Sequence, residues 1–294
     1  MNYENLGIKE YFNNLILPRS INLDTDVKDK YIIRMQNMYL DAHGEILKWQ
    51  KLSTEYKRVI EEQISSFCVL TRLNVEKATF ESSERSPMNW SFAAGHSIPY
   101  FLLSADTEEK AEFISQAEVF EKVANQVDKF NKSFDRFPKL PSVYLYIMQL
   151  YDMIAFENFA TYFSCIDLST EKIGEYVEVE MLSSSKAQIG LGLYSDDSLF
   201  KNGKFKAVYL GVSLYKNREC AVFNYICDKS KVKMEDAQIN GVREGNSYYS
   251  GTLLLDLKTF VPVHGSMIEN YIARQKKDNV NVRREIHMHL VEDN

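Results

Sequence analysis

The sequence predicts an α+β chain in which a mainly helical N-terminal part, residues 1–172, packs on a curved, mostly antiparallel sheet formed by residues 173–294. Three observations predict it. Residues 142–164 place apolar side chains (Val143, Ile147, Leu150, Tyr151, Ile154, Phe156, Phe159, Phe163) most of the way round a helix, so that helix must be covered on more than one side. From about Gly174 onward nearly every segment has an extended pattern, and short polar turns such as Lys201-Asn202-Gly203-Lys204 join them, which suits antiparallel neighbours. Several of those strands are apolar on both faces: Val208, Leu210, Val212 and Leu214 alternate with Tyr209, Gly211, Ser213 and Tyr215. A sheet built this way is covered twice or curves round an interior. The two parts are expected to form one integrated domain.

Taken in order, Ile8, Tyr11, Phe12, Leu15 and Ile16 recur at helical spacing before Pro18, which predicts a short amphipathic helix. Residues 31–52 read as two extended runs around the Asp41-Ala42-His43-Gly44-Glu45 turn, with a helix over 31–40 as the alternative. Ser53 then serves as the N-cap of a helix running to about Ser65. Short strands follow over 67–104. Asp106-Thr107-Glu108-Glu109 supplies a cap and first-turn acids for a helix to about Phe130, with Phe113, Ala117, Phe120, Ala124 and Val127 on one face. The helix over 142–164 comes next, and the strands after it carry the sheet.

Composition bounds the function. With hydrophobic residues at 45% and charged residues at 26%, the chain has the profile of a folded domain, and Gly 12 with Pro 6 leaves little room for linkers. The net charge of −6 and the lack of basic runs longer than Lys276-Lys277 or Arg283-Arg284 argue against a nucleic-acid partner or an electrostatic membrane anchor. The most apolar stretch, residues 143–163, contains Gln149, Asp152, Glu157 and Asn158, so no membrane span is expected. No secretory signal opens the sequence, which makes a cytoplasmic location the default expectation. Cys68, Cys165, Cys220 and Cys227 lack metal or redox spacing and read as free, buried thiols, with Cys220 and Cys227 on opposite faces of one strand.

The residues offering chemistry are few. On a final strand, Arg283, Glu285, His287 and His289 share one face, while Arg284, Ile286, Met288 and Leu290 share the other. Imidazoles two residues apart can reach one ion at about 2.0–2.1 Å, with His264 on the neighbouring strand as third ligand. The plainer reading, and the favoured one, is a solvated sheet face with the Ile286 row turned into the core. Asp152 and Glu157 sit in the most apolar helix, where a carboxyl would have a raised pKa, but they lie about 140° apart around the axis. The favoured reading makes them part of a narrow polar stripe with Gln149. Ser169-Thr170-Glu171-Lys172 matches S-x-x-K without its companion motifs, and no phosphate loop, dinucleotide fingerprint or nucleophile elbow is present.

These observations favour a non-enzymatic binding or interaction protein without a cofactor. Its aromatic-lined curved sheet (Tyr209, Tyr215, Phe223, Tyr225) would take a small apolar ligand or a protein partner. The alternative is a metal-dependent hydrolase or other metalloenzyme holding zinc, or another divalent transition metal, on His264, His287 and His289.

Overall fold

The computed structural model describes residues 28–65, 68–91, 93–103, 117–137, 141–188, 197–236, 241–275 and 278–291. Among them, antiparallel strands dominate. The chain runs through β1 (Lys28–Leu40), β2 (Ile46–Ser65), β3 (Cys68–Ser82), β4 (Arg85–Asn89) and β5 (Ser97–Leu103), then α1 (Ala117–Lys132) and α2 (Pro141–Phe163). Three short strands follow, β6 (Tyr176–Glu178), β7 (Lys186–Gln188) and β8 (Leu199–Lys201). The long strands β9 (Lys204–Tyr215), β10 (Arg218–Asp236), β11 (Gly241–Asp256), β12 (Pro262–Gln275) and β13 (Asp278–Val291) complete it. All join one sheet with main order β4-β3-β2-β1-β13-β12-β11-β10-β8-β7, in which β5 pairs with β3 and β9 bridges β10 and β6.

The expectation of a mainly helical N-terminal part is overturned, because residues 28–103 supply five strands of the sheet. The helix expected from Ser53 is the middle of β2. There Leu52, Thr54, Tyr56, Arg58 and Ile60 are buried while Ser53, Glu55, Lys57 and Val59 are half-buried, the period of two that a strand imposes. Thr54 and Arg58 interrupt the apolar row in the sequence and hide that period. The 31–52 hairpin forms as read: Asp41 Oδ1 accepts from the backbone N–H groups of His43 (2.8 Å) and Glu45 (2.9 Å) to close its turn. The helix expected over 8–16, and the start of the one expected from 106, lie outside the described residues.

The chain's first and last described strands are neighbours, with Met35 opposite Ile286, so the sheet is continuous across residue 172. One face of it holds α2, which touches β1, β2, β5, β11 and β12. One apolar core runs from Tyr31 and Tyr56 through Leu150 and Phe163 to Leu253 and Met288. Gly265 on β12 permits the close approach of the helix: a Cβ there would stand 2.9 Å from two ring carbons of Phe156. Gln149 fastens α2 to the first hairpin. Its side-chain N–H donates to the carbonyl of Leu52 (2.8 Å), and its oxygen accepts from Thr54 Oγ1 (2.5 Å).

The final strand faces as the spacing requires. Ile286, Met288 and Leu290 are buried, His287 is exposed and His289 is half-buried. In β9 the two-sided apolar pattern has a local cause: at Gly211 (φ 110°) a bulge shifts the register against β10 between Val222 and Phe223. Tyr209 and Val212, an odd number of positions apart, thereby pair with the inward Phe223 and Ala221, while Leu210 is turned out.

Candidate functional site

A cavity of about 470 Å³ opens between α2 and the face of the sheet that it covers. Met148, Tyr151, Asp152, Ala155, Phe159 and Tyr162 of α2 line one side at spacings of three and four residues, a single helical stripe. Opposite them stand Phe200 of β8, Tyr249 of β11 and Met267 of β12, and the segment carrying Met181, Leu182 and Ser185 adds to the lining. Asn202 fixes that segment: its Nδ2 donates to the carbonyl of Leu182 (2.9 Å) and to Ser185 Oγ (3.0 Å), while its Oδ1 accepts from Tyr249 O–H (2.8 Å). The lining is mainly apolar and aromatic, as small-molecule cavities are.

Its buried end is charged. Arg284 projects from the inward row of β13 and forms ion pairs with Asp152 of α2 and Glu269 of β12, the latter at 2.7 Å. Ser247 O–H donates to the second oxygen of Glu269. All three charged side chains are buried, at 6% exposure for Asp152, 5% for Glu269 and 7% for Arg284, and all three line the cavity. Burial pushes the Asp152 carboxyl up to about 6, against the pull of the Arg284 guanidinium and with some further push from Glu269.

The reading of Asp152 and Glu157 as a narrow, polar helix stripe is corrected, since Glu157 is buried as well. It pairs with Arg58 at 2.9 Å and accepts from Tyr100 O–H at 2.5 Å, on a side of α2 away from the Asp152 cluster. The two carboxylates therefore serve separate ion pairs, as their angular separation implied.

Of the four aromatics expected to take a ligand, Tyr209, Phe223 and Tyr225 are fully buried under α2. Phe223 packs on Phe163 with ring centres 5.0 Å apart, and Tyr225 on Phe159 at 5.1 Å. Tyr215 lies half-buried beside the His264 ring. None of the four is among the residues lining the cavity. A usable signal did exist in α2, where the polar and small residues Asp152, Ala155 and Asn158 fall on one stripe of an otherwise apolar helix. A second signal was Arg284, a guanidinium in a row of core residues that demands a buried counter-charge.

His264 stands directly across from His289, and His287 across from Ser266. Among the described residues no three histidine, cysteine or carboxylate side chains are placed to hold a metal ion. Burial lowers the pKa of His264, and so do the neighbouring His287 and Lys216. Lys172 is bonded to Glu175 (2.9 Å), and the Ser169 backbone N–H to Asp167 (2.9 Å), so the S-x-x-K match has its lysine engaged elsewhere. Cys220 and Cys227 are buried free thiols as expected, but Cys165, just past the end of α2, is exposed.

The site is thus a half-open, mainly apolar cavity between a helix and an antiparallel sheet. No family model matches the sequence, and no curated protein matches it. Among solved structures, the chain is similar to one described as "lipid-protein interactions in lipovitellin", with 10% identity and a TM-score of 0.44 over 90% of this chain and 25% of that one. It thus spans about a quarter of that protein's length. A DUF1329 family protein from Desulfovibrio piger is aligned at 8% identity and a TM-score of 0.15, over 92% of this chain and 88% of that one. Likenesses this low carry no weight for function. Among the described residues no helix is long and apolar enough to cross a membrane.

Proposed function

We propose that this chain is a non-enzymatic binding protein that holds a small, largely apolar molecule between α2 and the face of the sheet that it covers. The observation that carries the reading is the cavity of about 470 Å³ with its helical stripe of lining residues, within the ordinary size range of ligand sites. The cavity is half open, and its mainly apolar lining would be covered by an apolar ligand that displaces water from it. Tyr249, Asn202 and the Leu182–Ser185 backbone brace the wall instead of collapsing into the space.

The test is binding of an uncharged, environment-sensitive dye such as Nile red to wild type and to Ala155→Trp. Ala155 lines the cavity and is half-buried, so an indole there fills the space from the helix side. Wild type should give saturable, blue-shifted fluorescence, and the variant should bind at least about tenfold more weakly while its melting temperature stays close to wild type. Absence of saturable binding by wild type, or equal binding by the filled variant, refutes the proposal.

A further inference from the structure

Resting on that binding role, we infer that the cavity selects amphiphiles whose head group is cationic, seated head-first against Asp152 and Glu269. The buried end of the cavity holds two carboxylates and one guanidinium. Both terminal nitrogens of Arg284 are committed, Nη1 to Glu269 Oε2 (2.7 Å) and Nη2 to Asp152 Oδ2. An anionic head would find both terminal nitrogens of Arg284 taken, with only its buried Nε–H left without a partner, and would become a third negative charge beside a single positive one. A cationic head would instead bring the charges to two against two, which is the condition under which buried charge is tolerated.

The apolar body of such a ligand has a place to lie. From Asp152 the helical stripe continues through Ala155 and Phe159 to Tyr162, with Phe200 and Met267 facing it. Lys186, besides Arg284 the one basic residue among the described lining, is exposed on the edge strand β7, away from the buried cluster. An anionic amphiphile would therefore bind in the opposite sense, with its head at the mouth on Lys186. The two orientations make different predictions.

Calorimetric titration of the full chain near neutral pH with dodecylamine, dodecanol and dodecanoate, each below its aggregation concentration, separates them. The amine should bind about tenfold or more tighter than the alcohol, the advantage of a hydrogen bond to a charged group, and dodecanoate should bind most weakly. In Asp152→Asn the amine's advantage over the alcohol should shrink to about twofold, and in Lys186→Ala it should persist. Dodecanoate binding as tightly as the amine, or amine binding lost in Lys186→Ala, overturns the inference. Equal binding of amine and alcohol overturns it too, while leaving the apolar cavity as a binding site. Failure of all three probes removes the binding role and the inference together. Amine binding that survives in Ala155→Trp marks adsorption to the acidic surface and also overturns the inference.

Discussion

Asp152 is held ionised at a cost, and Asp152→Asn should make the protein more stable at alkaline pH. The folded carboxyl titrates at about 6 against an ordinary value of 3.8. A carboxyl with a raised folded pKa binds its proton more tightly in the native state, so stability is greatest when it is protonated and falls as pH rises from the unfolded to the folded pKa. Asparagine mimics the protonated form at every pH. From these two values the linkage relation gives a wild-type deficit of roughly 1 kcal/mol at about pH 4.5, growing to roughly 3 kcal/mol at about pH 8. Urea unfolding of both proteins at the two pH values reads the difference directly, and the change with pH, near 2 kcal/mol, is insensitive to any constant cost of the amide's altered hydrogen bonds. If Asp152→Asn is instead destabilised by more than about 1 kcal/mol at pH 8, the Arg284 pair is a net anchor for α2. In that case nothing is being sacrificed for the cavity.

Two further outcomes follow from the packing. Ile286→Ala should cost about 2–5 kcal/mol and His287→Ala no more than about 0.5 kcal/mol, because the first side chain is fully buried and the second is exposed; thermal unfolding of the pair checks this, and a larger effect at the histidine would mean that its ring holds something. Arg58→Met should cost about 3–5 kcal/mol by leaving Glu157 buried and unpaired. Nile red titration of the same variant should give wild-type affinity, since Arg58 does not line the cavity, and a lost site would mean that the whole helix has shifted.

The parts of the fold that were legible in the sequence are those where a single periodicity acts alone. α2 announces itself because nearly every position is apolar over a run too long for a strand, and β13 because Ile286, Met288 and Leu290 alternate with charged and imidazole residues. β2 was misread for the opposite reason. Its inward row includes Thr54 and Arg58, whose burial is possible only because Gln149 and Glu157, about a hundred residues away on α2, receive them. A sequence window holds no information about such partners, so polar residues at inward positions look like solvent contacts. The candidate site shared this fate: Arg284 and Glu269 lie in rows that also contain core residues, and only the sheet register brings them to Asp152.

The two buried ion pairs of α2 sharpen the case for the cavity, because they show the same chemistry with and without an opening beside it. Glu157 is sealed: Arg58 pairs with it, Tyr100 donates to it, and Arg58 reaches on to Asp29 at 3.1 Å, so one cation faces two acids there, of which Asp29 is only half-buried. Asp152, Arg284 and Glu269 carry the same two-to-one excess, but both of their acids are deeply buried and all three border empty space. A helix that needed only to be fastened could have used the first arrangement twice, or plain apolar contacts, since buried ion pairs add little net stability over hydrophobic residues of similar size. Keeping an unbalanced acid on the buried lining of an apolar cavity makes physical sense where something of opposite charge enters that cavity. The stability that asparagine would recover at position 152 and the amine selectivity that it would reduce are therefore two measurements of one buried carboxylate.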